Sequence, residues 1–556
     1  MNSNLRAWGL MLAVGATCLA ATCPRAAAAQ SPRLTARGAQ AAQAVAEGEA
    51  ALARGEEAAA RLAFERALAV EPDNVAAHTY LGVLADRAGD LASAERHFAA
   101  AARAAPRLPS ALNNYGAILT RLGRTEQARA QFEASLKLDE RQPNALVNLA
   151  QIRFAAGQPE DLRAARDLFA RADAIAPDAE LARALVVIAL KLGDRASAAT
   201  AYRAYAARLK DAPTATLSTT PTEPTPTTPA ARAELGAALL EADLLDEATA
   251  ELNAALAVEP NNVAAVVALA RAQLRRRDVP GAGRTLEAAV ARGLDAAPVY
   301  AALAEVYAAG GYVENAIPAM RLAVERDPRN EAYHYRYALL LIDTRAPAAA
   351  VIRMKEALKT LPASARVWLA LGIAQLTEGS HADAEQSLRR ALELDPRAVP
   401  ALAYLGATAG LRGQYAQAVA YYERAIAVDD RTAALYFLAA DALLKLTEVD
   451  APRVEKYLAR ANELDPALAP ARLALGKLYM RAERWADAAA QLEQAARLAP
   501  ELSEAHYQLG RAYTRLKRKD DAQRELALFK QQSEAARVRE ETQALDLVRR
   551  LANVRF

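Results

Sequence analysis

A repeat of thirty-four residues constrains this chain more than any other feature. Residues 75–108, VAAHTYLGVLADRAGDLASAERHFAAAARAAPRL, show one copy. Leu81, Gly82 and Ala85 share one face at helical spacing. Gly89 follows, a residue free of the Cβ that resists the left-handed conformation of a helix end. Ala94, Phe98 and Ala101 then recur at intervals of four and three, which makes a second apolar stripe. Pro106 closes the unit, because it lacks an amide hydrogen and clashes with a continuing helix. Two helices of this kind cannot bury their stripes alone, so each unit needs a copy on either side.

The copies are present in phase. A small-residue column in the first helix reads Gly48, Gly82, Gly116, Ala150, Gly236, Ala270, Ala304, Ala338, Gly372, Gly406, Ala440, Gly476, Gly510. An alanine column in the second helix runs from Ala60 and Ala94 to Ala488 and Ala522, with Val454 as its exception. Four residues further on stands a large column that includes Phe64, Phe98, Phe132, Phe169, Leu252, Met320, Tyr422 and Leu526. Small residues let backbones approach where helices cross, and the large column fills the space between them.

This spacing and these residue types resemble the tetratricopeptide repeat, a helix–turn–helix unit of the same length. The resemblance covers residues 41–530. It implies an all-α fold, a superhelical solenoid of helix–turn–helix repeats in two segments. The departures are local. Three extra residues near Gln158–Asp161 and two near Glu448–Pro452 are expected in turns, where insertion is tolerated. Residues 180–209 are degenerate, and Glu140, Leu294 and Asp430 stand where closing prolines are expected.

Residues 1–29 are of another kind. Arg6 precedes an uncharged apolar run from Ala7 to Ala21, and Ala26–Ala29 offer a small-residue cleavage site. The segment reads as a secretory signal peptide, with an uncleaved anchor or a lipidated Cys23 as alternatives. Cleavage near Ala29 leaves no cysteine, which excludes disulfides, thiol catalysis and cysteine–zinc sites from the mature chain. It also removes Arg6 and Arg25, so the net charge falls from +3 to about +1. No dense basic face is present, and nucleic acid is not an expected partner.

The first array spans residues 31–209 with about five repeats, and the second spans 230–530 with nine. Between them lies 210–229, KDAPTATLSTTPTEPTPTTP, either an extended linker or an insertion between neighbouring repeats. Pro280 and Pro318 fall near the starts of second helices, with Pro318 deep enough to kink its helix. Residues 531–556 keep helical periodicity through Leu545, Val548 and Leu551 and read as a capping helix for the end of the stack.

No sequence pattern for catalysis is present. There is no glycine-rich phosphate loop, no GxSxG and no HExxH. His78 and His97 share a repeat but lie on different helices, and His334, His381 and His506 are scattered. Acidic residues mostly stand beside arginine, as in Glu95-Arg96 and Glu423-Arg424, the pattern of a solvated helix face. No cofactor, metal site or catalytic residue is expected.

Binding remains. The resemblance implies a concave groove lined by first helices that holds extended peptides or partner helices. Its register places Thr79, Asn113, Asn114, Asn148 and Gln151 on that surface, with Arg87 and Arg121 toward the helix ends. Asn114 and Asn148 are equivalent, and paired amides can grip a peptide backbone without reading its sequence. In the second array the register gives Tyr335, Arg336, Tyr404, Phe437, Tyr507, Gln508, Arg511 and Arg515. Exposed aromatics and arginines are the residue types that dominate interface energetics. The expectation is a non-catalytic scaffold in the periplasm or outer envelope of a bacterium. Its partners would be proteins of a secretion, pilus, polysaccharide-export or envelope-assembly machine. The alternatives are a self-assembling solenoid and a peptide- or carbohydrate-handling enzyme with an unfamiliar groove site.

Overall fold

The protein is seen in a computed structural model that describes residues 32–211 and 228–536. The signal peptide of 1–29, most of the 210–229 segment and the cap from residue 537 onward lie outside the described residues. Among those residues the chain forms twenty-eight helices and no strand. They follow one another as helix–turn–helix pairs in an all-α repeat solenoid.

Two compact units divide the chain, Met1–Thr285 and Leu286–Phe556. The first carries helices from Pro32–Ala53 to Val263–Arg275, and the second those from Ala297–Ala309 to Lys519–Ala536. Within each unit, consecutive first helices touch one another more than consecutive second helices do. The stack therefore curves locally with first helices on the inner wall.

The columns read from the sequence form the core. Ala60, Ala94, Ala128, Ala248, Ala316, Ala418 and Ala488 are fully buried. A Cβ added at Gly82 would sit 2.8 Å from the ring of Phe98, and one at Gly406 would sit 2.6 Å from that of Tyr422. Those contacts are too short for any side chain, so glycine sets the distance between the two helices. The turn inside most pairs is also shared. Gly89 holds it at φ 77°, and Asp243, Arg277, Arg345, Glu483 and Lys517 hold the same left-handed turn with side chains attached.

A second device recurs at the entry to several pairs. There the residue six positions after the closing proline donates to that proline's carbonyl. His78 Nε2 donates to Pro72 at 2.9 Å, His334 Nε2 to Pro328 at 2.9 Å, Trp368 Nε1 to Pro362 at 3.0 Å, and His506 Nε2 to Pro500 at 3.0 Å. An otherwise unsatisfied carbonyl at the inter-repeat corner thus gains a partner. Three of the five histidines are accounted for in this way.

One expectation needs correction. The three extra residues near Gln158 do not lengthen a turn. They add most of a helical turn to the start of Pro159–Ile175, which has seventeen residues where the preceding second helix, Thr125–Leu138, has fourteen. Continued helix hydrogen bonds satisfy more backbone than a longer loop would, and Pro159 at the first position needs no donor partner. The degenerate stretch 180–209 is a complete pair, Ala179–Lys191 and Arg195–Asp211, in which Ala198, Tyr202 and Tyr205 occupy the packing columns. By contrast, the two extra residues near Glu448 do enlarge a connection, Lys445–Asp450. Pro318 lies inside Val313–Arg326, as its position in the sequence suggests.

One apolar cluster joins Ala182, Val186, Tyr202 and Tyr205 to Leu235, Leu239, Leu252 and Leu269. It takes residues from both sides of 212–227. Thr228, the last residue before the next helix, caps Pro229–Glu241 by accepting from the Ala231 amide.

Candidate partner-binding surface

The inner wall consists of first helices, and the residues expected on it fall into three groups. The first group is consumed by packing. Asn113, Tyr335, Tyr404 and Gln508 are buried, with Tyr404 only 3% exposed. Burial pushes the Tyr335 phenol well above its usual range. The register alone puts these tyrosines on an open wall, and both are buried instead. Phe437 is half-buried against the cluster that contains Tyr436, Leu443 and Leu458.

The second group bonds within or between repeats. Thr79 Oγ1 donates to the Val75 carbonyl one turn back at 2.7 Å. Asn148 Nδ2 donates to Asn113 Oδ1 in the preceding repeat at 3.1 Å. One rung of the two-asparagine ladder is therefore tied to its neighbour, while Asn114 and Gln151 stay half-buried. Arg121 pairs with Asp86, and Arg336 with Glu305, each one repeat earlier. Arg87 lies 3.9 Å from Glu57. These exposed pairs align consecutive repeats and each contributes only about 0–1 kcal/mol.

The third group lies at the end of the second unit. On Ser503–Arg515, Tyr507 meets Phe529 with ring centroids 5.0 Å apart. Arg511 lies over the Tyr507 ring at 5.7 Å and donates to Gln508 Oε1 at 3.2 Å. Arg515 lies over Trp485 at 5.4 Å. On the preceding first helix, Ala469–Arg481, Lys477 and Arg481 stand thirty-four residues before Arg511 and Arg515. They belong to the same wall, and subtracting one repeat from the two arginines would have found them in the sequence. Lys477 reaches Glu504 at 3.2 Å.

A buried polar group is prominent in the first unit. Glu251 is 3% exposed, accepts from the Tyr202 hydroxyl at 2.9 Å and lies 3.7 Å from Arg232. Burial raises its carboxyl above the ordinary range. Among the described residues no three His, Cys, Asp or Glu side chains converge as metal ligands. None of the described helices is long and apolar enough to cross a membrane.

Comparison with known proteins identifies the architecture. No curated protein sequence matches the chain. Among solved structures, the Cut9–Hcn1 hetero-tetramer of the APC/C is 14% identical with a TM-score of 0.38, over 86% of this chain and 98% of that one. Yeast Tom70 is 16% identical with a TM-score of 0.37, over 86% and 96%. YrrB, a TPR protein described as having an unusual peptide-binding site, is 20% identical with a TM-score of 0.29, over 34% and 96%. The tetratricopeptide repeat family model matches residues 45–109, 118–180, 267–331, 335–399, 409–466 and 473–531. These matches take in more than half of the sequence, and the chain belongs to the tetratricopeptide repeat family.

Proposed function

We propose that this protein is a non-catalytic scaffold of the bacterial periplasm or outer envelope. It would hold protein partners of a secretion, pilus, polysaccharide-export or envelope-assembly machine against the inner wall of its repeats. The observation that carries this reading is the repetition itself: the described residues form twenty-eight helices, and one interaction repeat matches six stretches of them. Export is supported by the charged start, apolar run and small-residue site of residues 1–29.

Capture from envelope extracts tests the reading. The mature chain, and chains lacking either residues 31–209 or residues 230–530, would serve as bait. At least one is expected to retain specific proteins. Failure of all three to retain any ends the scaffold reading. Fractionation with N-terminal sequencing of the mature protein tests export, and recovery of intact Met1 in the cytoplasmic fraction would count against it.

A further inference from the structure

We propose that the inner faces of Ala469–Arg481 and Ser503–Arg515 dock an acidic, extended segment of a partner protein. The proposal rests on the scaffold reading and names the chemistry of one partner site within it. Lys477 and Arg481 lie one helical turn apart, as do Arg511 and Arg515, and the two pairs are equivalent positions of consecutive repeats. Four cations thus form a two-by-two lattice on adjoining helices.

Most other cations at the ends of first helices are neutralised, Lys191 over the Phe154 ring excepted. At the matching positions Arg87 faces Glu57, Arg121 faces Asp86, Arg275 faces Glu241, and Lys445 faces Asp441. Among the described residues, Arg481, Arg511 and Arg515 have no carboxylate partner, and all three are exposed. Only Lys477 is paired, with Glu504. Aromatic rings support two of the guanidinium groups from one side, Tyr507 beneath Arg511 and Trp485 beneath Arg515. A stacked guanidinium keeps its planar fork of N–H donors available for a carboxylate and loses less side-chain freedom on binding it.

The spacing suits an extended acidic chain. Positions four apart on a helix are about 6 Å apart along its axis, and packed helices lie about 8–10 Å apart. Side chains on one face of an extended strand recur about every 7 Å. Carboxylates at alternate positions therefore meet cations along or across the two helices. A lipid bilayer suits the patch less well, because the cations lie on the wall toward which the repeats curve.

The test uses the full mature chain and a fluorescein-labelled twelve-residue peptide that alternates glutamate with serine. The same peptide with glutamine for glutamate, and vesicles of phosphatidylglycerol, are run beside it. Binding is compared in a variant carrying Arg481→Gln, Arg511→Gln and Arg515→Gln, and in a control carrying Arg107→Gln, Arg397→Gln and Arg497→Gln. Both lose three positive charges, and circular dichroism checks that both fold. At exposed-pair strengths, the first variant should bind the glutamate peptide about tenfold more weakly. The control should bind it like the unaltered chain, and the glutamine peptide should not bind. Equal affinity in the two variants, absence of glutamate-peptide binding, or patch-dependent binding of vesicles alone would each overturn the proposal. If the peptide fails while envelope proteins are still captured, only the acidic-segment inference falls. If nothing is captured, the scaffold reading falls too.

Discussion

At the scale of single residues, the turn inside each pair separates what the fold requires from what it tolerates. Glu483 holds a left-handed φ of 58° where Gly89 holds 77° in its own repeat. An L-residue there costs about 1–2 kcal/mol relative to the right-handed region. Glu483→Gly should raise stability by up to about 1 kcal/mol, after the greater unfolded-state freedom of glycine is deducted. Gly89→Ala should lower it by a similar amount, and urea unfolding of both variants checks the pair. The column glycines follow a different logic, since Gly82 is excluded from change by the Phe98 ring rather than by its backbone angles. Gly82→Ala should cost about 1–3 kcal/mol through overpacking. Adding Phe98→Met should recover part of that, because the chain itself pairs Ala304 with Met320 and Ala338 with Met354 in the same two columns. His97 supplies a pH-dependent term. Its Nδ1 lies 3.1 Å from His78 Nδ1, and burial, then the charges of His78, Arg96 and Arg61, hold its pKa below 6.5. A histidine of depressed folded-state pKa favours folding above its unfolded pKa. That contribution is lost as the pH falls below 6.5, when the unfolded chain takes up a proton that the folded chain refuses. His97→Gln should flatten this part of the stability profile, measured as the midpoint temperature between pH 7.5 and 5.

At the scale of helices and their contacts, Glu251 is the group most exposed to a test. Its carboxyl is raised first by burial, against the lowering effects of Tyr202 and Arg232. A carboxyl raised in the folded state favours folding at low pH and opposes it as the pH rises through the folded value. Glu251→Gln keeps an acceptor for the Tyr202 hydroxyl and removes the charge. The variant should be more stable than the parent near pH 7, with the difference shrinking as the pH falls toward 4.5. A difference that is absent or reversed at pH 7 would mean that the Arg232 attraction outweighs burial. Helix existence, order and packing faces were legible in the sequence because the Gly, Ala and Phe columns recur at one interval, and recurrence averages out local ambiguity. The longer start of Pro159–Ile175 was not legible, because extra residues beside a turn can extend either the turn or the helix. The inner wall was only partly legible. Register places Tyr335 and Tyr404 on the first helices, but whether a tyrosine projects or is buried depends on three-dimensional packing that register does not carry. The charge lattice at Lys477, Arg481, Arg511 and Arg515 could have been read from the interval alone. Its significance could not, because the pairing of Arg87, Arg121, Arg275 and Lys445 with carboxylates is a fact of three dimensions.

At the scale of the whole molecule, the strongest consequence of the repeat is that the chain should be divisible at one interval and at no other. Each pair packs mainly on its immediate neighbours, so stability is approximately a sum of repeat and interface contributions. Residues 109–142 are one complete repeat, made of Pro109–Arg121 and Thr125–Leu138. Removing them joins Leu108 to Pro143, which recreates the Leu108–Pro109 junction in residue type and puts a proline again at the first helical position. Leu91–Ala104 then meets Pro143–Ala156, a first helix that presents the same small-residue column. The losses include one repeat's burial, the Asn113–Asn148 bond and the Arg121–Asp86, Arg124–Glu95 and Arg153–Glu133 pairs. The shortened chain should therefore keep its helix content per residue and unfold cooperatively at a midpoint within a few degrees of the parent. Removing 109–124, a first helix and its turn, is a smaller deletion with a larger effect. It sets two second helices side by side and removes Gly116, the glycine against which the Phe132 ring packs, while Phe98 keeps Gly82. That chain should lose helix signal and unfold broadly. Circular dichroism with urea titration of the two deletions decides the matter, and equal damage from both would show that the repeats are not the independent units their packing describes.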